Sequence, residues 1–338
     1  MKPDWETQTM KICSVLAFAL RLGCACGVAL LCATAAAQSF PNRPVRIIVP
    51  QAPGGGLDIS TRAIALKLAE TWGQQVIVDN RAGANGIIGV EAVAKSKLDG
   101  YTLSAAFTSV LTVNPHVYKS LPYDTFRDFA PITQTVTNTI VLVVNPTVPA
   151  RSVKELIALG KSRPGDLTYG SFGVGNLTHL AGELLSLETG IKTAHIPYKG
   201  ETPAVIDLVA GQVAFGFATA PGAAAHLQNR RLRLLATCGE RRSTAFPDTA
   251  TMIESGVPNV IVTGWGGFLA PAGTPSVIVQ KVSRDAARHV QSPELRNRLS
   301  VIGAEPAGTT PEQFAAFMRA ETEKWGRVAK VAGVYKSQ

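Results

Sequence analysis

The sequence predicts an α/β fold of two lobes, on two main observations. Apolar, strand-like runs alternate with helical periods along nearly the whole chain, the pattern of sheets covered by helices. A strand, a glycine-rich turn and a helix recur once in each half, as "VRIIVPQAPGGGLDIS" from Val45 and "LTYGSFGVGNLTH" from Leu167. No short-period repeat is present, so a solenoid is excluded.

The first lobe begins with a continuous apolar run, Val45–Pro50, of the kind buried in parallel sheets. Ile59, Ala63, Leu66 and Ala69 then fall on one helical face up to Thr71. Gln75–Asn80 reads as a strand, Gly83–Ser96 as a glycine-led helix and Tyr101–Phe107 as a third strand. Thr139–Pro146 is a strand stopped by its proline. Ser152–Ser162 is a helix with a Ser152/Glu155 capping box. Strands at Leu167–Phe172, Thr193–Tyr198, Val213–Thr219 and Leu232–Cys238 alternate with helices at His179–Thr189, Pro203–Ala210 and Ala223–Gln228. Val260–Pro275 carries a strand into a Pro/Gly turn, followed by helices at Val277–His289 and Pro293–Leu299. A short strand near Glu305 and a long helix, Pro311–Val331, close the chain.

Composition narrows the function classes. The 338 residues carry a formal charge of +9, but no Lys/Arg run with interleaved aromatics, so nucleic-acid binding lacks its electrostatic footprint. Lys11 and Arg21 flank an apolar stretch, and Ala35-Ala36-Ala37 offers a cleavage site before Gln38, so residues 1–37 read as a cleaved secretory leader. Leu31 before Cys32 argues against a lipoprotein. Removing the leader removes Cys13, Cys24, Cys26 and Cys32, leaving Cys238 as a buried apolar residue without a disulfide partner. The mature protein is expected to be exported.

The two glycine turns carry the candidate chemistry. A phosphate loop requires Gly-Lys-Ser/Thr where this chain has Gly56-Leu57-Asp58, and a dinucleotide fingerprint requires glycine where Ile59 stands. What remains is a cradle of backbone N–H groups at a helix N-terminus, suited to a compact carboxylate. Asp58 reads as a helix cap, with direct ligand contact the alternative. The turn at Ser171–Asn176 repeats the arrangement. One helix terminus contributes only about 0.3–2 kcal/mol to binding an anion, whereas micromolar affinity needs about 8 kcal/mol. Both turns are therefore expected to close on one solute. The five histidines show no metal-ligand spacing, and there is no G-x-S-x-G elbow, so neither a metal nor a cofactor nor a catalytic set is expected. A Ser171-based hydrolase is the enzymatic alternative.

Several ordered motifs have a collective resemblance. "RPVRIIVP", "APGGG", "VIVDNRAGANG", "DGYTL", "LPYD", "DFAPI", "THLAGELL", "HIPYKG", "ESGVP", "LAPAGTP" and "TPEQFAAF" run from about Pro41 to Gly333. Together they resemble the Bug (TctC-type) extracytoplasmic receptors of tripartite tricarboxylate transport systems. The resemblance implies a periplasmic binding protein-like fold, two α/β lobes joined by crossing strands with a ligand cleft between them. It implies a first lobe of residues 38–140 with 240–338 and a second of 141–239. It also implies a ligand set of Pro53, Gly54, Gly55, Gly56 and Asp58 on the first turn and Ser171, Gly173, Gly175, Asn176 and His179 on the second. Ser109, Asn114, Tyr198, Lys199, Gly200, Asp207 and Thr219 follow as further pocket candidates. The implied partners are a small organic acid and either membrane permease subunits or a sensor protein, with the receptor a periplasmic monomer and not an enzyme. Gln51, Leu57 and Asn176 depart from the residues common at these positions, which makes them places where this chain's own specificity would lie.

Overall fold

The computed structural model describes residues 40–338; the leader expected over residues 1–37 lies outside the described residues. From Pro44 onward, β1 (Val45–Val49), α1 (Gly56–Trp72) and β2 (Val76–Asn80) lead through a 3-10 turn, Ala84–Gly86, into α2 (Ile87–Ala94). Then come β3 (Thr102–Phe107), a π-helical turn at Ser109–Val113, α3 (Asn114–Val117) and the long β4 (Phe129–Val144). The next stretch is α4 (Val153–Ser162), β5 (Leu167–Ser171), α5 (Leu177–Thr189), β6 (Thr193–Pro197) and α6 (Glu201–Val209). It continues with β7 (Phe215–Thr219), α7 (Ala220–Gln228) and β8 (Arg233–Thr237). β9 (Thr263–Pro271), α8 (Ser276–Val290), α9 (Pro293–Val301), β10 (Ala304–Pro306) and α10 (Pro311–Val331) complete the chain.

Eight of the ten strands form one path, β2-β1-β3-β9-β4-β7-β5-β6, and β10 and β8 pair with β4 off that path. β4 serves two sheets. Its residues Phe129 to Thr139 pair with β9, and Ile140 to Val144 pair with β7. The outer strands are parallel in each half, β2-β1-β3 on one side and β6-β5-β7 on the other. The crossing strands are antiparallel, β9 against both β3 and β4, and β4 against both β7 and β8. The sheets are therefore mixed and not purely parallel, because strands that join the halves run in both directions.

The predicted elements recur, and the π-helical turn and α3 between β3 and β4 are additions to them. β4 starts at Phe129, about ten residues before the strand expected from Thr139. Pro131 and the threonine-rich "TQTVTNT" obscure it, and the register shifts beside Pro131 and again between Gln134 and Val136. Proline is tolerated in a strand at such an irregularity. The Ser152 box is half as expected: Ser152 Oγ accepts from the Glu155 N–H at 3.2 Å, but the Glu155 carboxylate reaches back to the Arg151 N–H at 2.7 Å. α10 has the full reciprocal box, between Thr310 and Gln313.

The core lies on both faces of β4 and β7. Val141 and Val143 pack with Val205, Leu208 and Ala218 on one side. Leu142, Val144, Tyr169, Phe215 and Phe217 pack on the other, together with Cys238, which is fully buried. Trp325 of α10 is also fully buried there.

Candidate functional site

Parallel strands in open α/β sheets present their carboxyl ends to ligands. Here the turns after β1, β2 and β3 meet those after β5, β6 and β7. Four hydrogen bonds join the two sets. Leu177 N donates to Ser109 Oγ at 2.9 Å, and Asn176 Nδ2 donates to Asn85 Oδ1 at 2.7 Å. Thr202 Oγ1 donates to the Pro53 carbonyl at 2.6 Å, and Gly56 N donates to Glu201 Oε2 at 2.7 Å.

On the first turn, Gly55 is the N-cap of α1 and Asp58 reaches back from the first helical turn. Its Oδ2 accepts from Gly54 N at 2.9 Å, its carboxylate accepts from Arg62 Nε at 3.0 Å, and Oδ1 accepts from Asn80 Nδ2 at 2.9 Å. Burial pushes the Asp58 carboxyl up, but Arg62, the Gly54 N–H and Asn80 outweigh it and hold the group below the usual carboxylate range. Asp58 thus shapes the turn as a cap-like group. Leu57 is buried, close to where a side chain on Gly266 of β9 would lie, while Gln51 faces the cavity between the lobes.

On the second turn, Asn176 is the N-cap of α5 and accepts from Thr178 N. Gly175 takes a left-handed φ of 73°, and its N–H donates to His179 Nδ1 at 3.0 Å. That acceptor leaves the His179 proton on Nε2, which lies 3.6 Å from Glu183 Oε1. Ser171 is fully buried, and its hydroxyl contacts His195 Nε2 at 2.6 Å, not His179. The His195 ring is stacked between Tyr169, at 4.9 Å, and His179, at 4.0 Å. Burial, then the neighbouring His179, pushes His195 down to about 4. Glu183 is held low by His179 and also accepts from the Tyr169 hydroxyl at 2.7 Å. This is a polar cluster beneath the turn; Ser171 does not line the cavity above it.

The cavity, about 40 Å³, is lined by Phe107, Ser109, Asn138, Phe172, Asn176 and Trp265, with Thr219 at one side. An adjoining pocket shares Gln51, Phe107, Phe172 and Asn176 with it and is lined also by Gly83, Asn85, Gly200 and Lys199. Of the predicted residues, the structure brings Ser109, Asn176 and Thr219 together on the cavity and Lys199 to the adjoining pocket. Asn114 is buried behind them, where Oδ1 accepts from Asn85 Nδ2 at 2.6 Å. Tyr198 bonds Asp207, and burial and that carboxylate push its hydroxyl up to about 12; neither residue lines the cavity.

Sequence reasoning missed Glu201, Asn85 and Asn138. Glu201 sits after "PYKG" as the first residue of α6, a position at which an acid is ordinarily a solvated helix-dipole partner, so nothing set it apart. It is instead buried, with Oε1 accepting from Thr219 N at 2.7 Å and Thr219 Oγ1 at 2.6 Å. Asn138 lies in the unrecognised half of β4, and its Oδ1 is buried without a hydrogen-bond partner. Among the described residues no group of three or more His, Cys, Asp or Glu is placed to hold a metal.

Two sheets that turn the carboxyl ends of their parallel strands toward one shared cavity define a two-lobed binding protein. Comparison with known proteins bears this out. Residues 60–334 match the tripartite tricarboxylate transporter family receptor, TctC. The chain is 38% identical to protein BugT of Bordetella pertussis, over 90% of this chain and 93% of that one. The solved periplasmic binding protein BugD superposes with a TM-score of 0.84 at 30% identity, covering 88% of this chain and 99% of its own. Rpa4515 of R. palustris, solved with adipate, gives 0.86 at 34%, covering 88% and 99%. The chain belongs to the receptor family of the tripartite tricarboxylate transporters.

Proposed function

We propose that this protein captures a small carboxylate-bearing solute between its lobes in the periplasm and delivers it to the permease subunits of a tripartite tricarboxylate transporter. The observation that carries the reading is one cavity lined from both halves, by Gln51, Ser109 and Trp265 on one side and Phe172, Asn176 and Thr219 on the other, with hydrogen bonds joining the halves beside it. Rpa4515, a relative of the same fold, was solved with adipate, which supports a carboxylate as the solute class. The cavity, about 40 Å³, is far smaller than the roughly 300–1,000 Å³ of an ordinary ligand pocket, so the lobes part to admit an organic acid. The first glycine turn with Ser109 forms one jaw and Asn176 with Thr219 the other, with Lys199 in the adjoining pocket.

The first lobe comprises residues 38–140 with 240–338 and the second 141–239. The change of β4 partner from β9 at Thr139 to β7 at Ile140 supports the first boundary, and the return from β8 to β9 supports the second. The leader pattern up to Ala37 supports export. The role is binding without turnover, supported by the buried position of Ser171 beneath the cavity.

A thermal-shift screen of small organic acids, followed by calorimetry and product analysis, tests this. A bound acid at 100 times its Kd should stabilise the protein by about 2.7 kcal/mol and be recovered unchanged. No stabilisation by any acid, or catalytic consumption of one that Ser171→Ala abolishes, would overturn it.

A further inference from the structure

Among the described residues, Ser104 Oγ, Asn138 Oδ1 and Thr237 Oγ1 are buried without a hydrogen-bond partner. Of these three residues only Asn138 lines the cavity between the lobes. It is 4% exposed, and among the described residues neither end of its carboxamide finds a hydrogen-bond partner. The neighbouring amides differ. Asn176 Nδ2 donates to Asn85 Oδ1, and Asn85 Nδ2 donates to Asn114 Oδ1, so those three hold one another.

The strand pairing explains why the Asn138 amide is uncovered. Asn138 precedes Thr139, the last residue of β4 to pair with β9 before Ile140 pairs with β7. Its partner on β9 is Gly264, which also lines the cavity; a Cβ there would lie 3.7 Å from Asn138 Cβ and 3.3 Å from Ile140 Cδ1. The backbone at Gly264 is not left-handed, so the glycine leaves space where conformation does not call for it. Val136 and Ile140, on the same face of β4 as Asn138, are buried and apolar. An apolar side chain would complete that row, whereas a carboxamide buried there unpaired lowers stability. A solute that bonds to the amide offsets that loss.

We infer that Asn138 is a specificity-determining residue that reads a hydroxyl on the body of the bound acid, so that this receptor prefers hydroxy acids to the matching unsubstituted acids. The inference rests on the reading of the cavity as a carboxylate site and deepens it. A hydroxyl suits either end of the amide, because it donates to Oδ1 and accepts from Nδ2. A solute with only methylenes at that place leaves the amide unpaired, which disfavours it by a factor on the order of 10 to 100.

Calorimetry with matched probes tests this on the wild type, Asn138→Leu and Asn138→Ala. The pairs are butyrate with 3-hydroxybutyrate, succinate with malate, phenylacetate with mandelate, and any acid found by the thermal-shift screen with its hydroxylated or deoxygenated counterpart. The wild type should bind the hydroxylated member of a pair at least about tenfold more tightly, and in both variants that ratio should fall to near unity. Affinity for the unsubstituted member should hold or rise. A thermal melt establishes that each variant is folded, and Asn138→Ala leaves room should leucine be too bulky. Wild-type indifference to the hydroxyl in every pair that binds, or variants that weaken both members by the same factor, would overturn the inference and leave the receptor reading standing. Absence of binding by every acid, hydroxylated or not, would overturn both.

Discussion

A Cβ added at Gly56 would lie 2.4 Å from Thr219 Oγ1 and 3.4 Å from Pro221 Cβ, both across the cleft. Gly56→Ala should therefore act as a wedge between lobes whose cores it does not touch. Far-UV circular dichroism should be unchanged, while the stabilisation by a bound acid is lost; retained stabilisation would show that the cleft tolerates the methyl. His195 gives a second residue-level expectation. Its folded pKa of about 4 lies below the ordinary value near 6.5. Between those values the unfolded chain binds a proton that the folded chain does not, so this group's contribution is complete above pH 6.5 and falls as the pH drops toward 4. The groups facing it are His179, Glu183 and Tyr169. His195→Asn, which keeps a side-chain partner for Ser171, should flatten the loss of urea midpoint between pH 6.5 and 4; an unchanged slope would contradict this. At this scale the sequence was legible where main-chain geometry demands glycine. It was not legible at Glu201, because burial of an acid depends on contacts with Gly56 and Thr219 that are remote in the chain.

Among the elements, α10 and β9 illustrate how a distant helix fixes a cavity wall. Trp265 of β9 lines the cavity, and its indole Nε1 donates to Glu321 Oε2 at 3.1 Å, while Trp325 Nε1 donates to the same oxygen at 2.9 Å. Glu321→Ala leaves two buried indole donors unpaired and should cost about 2–6 kcal/mol, at roughly 1–3 kcal/mol for each stranded donor. Glu321→Gln retains an acceptor and should cost distinctly less. Equilibrium urea unfolding measures both, and equal losses would mean that the side chain acts through packing alone. The helix α10 was expected from the sequence over Pro311–Val331, while its Thr310–Gln313 box emerged only in the structure. The first half of β4 was not, since a strand containing Pro131 and alternating threonines carries a weak apolar signal, and only its pairing with β9 identifies it.

For the whole molecule, two lobes were legible from the repeated strand–glycine–helix unit, but their joining was not. Sequence periodicity reports the faces of an element and is silent on which sheet it enters. A closed chain of the roughly 300 residues after the expected leader has a radius of gyration of about 19 Å. Small-angle scattering should give a larger value for the solute-free protein and a decrease of about 1 Å when a bound acid closes the lobes; an unchanged profile would argue against hinge motion. The strand order has another consequence, for biosynthesis. β9 lies between β3 and β4 in the sheet, yet it is made only after the whole of the intervening lobe. A chain emerging from its N-terminus holds β3 with one bare edge until Thr263–Pro271 arrives, so its first sheet cannot be completed early. Nascent chains halted before that point should be soft, protease-sensitive and prone to edge pairing with one another. The same delay keeps the polypeptide threadable, as the proposed export across a membrane requires.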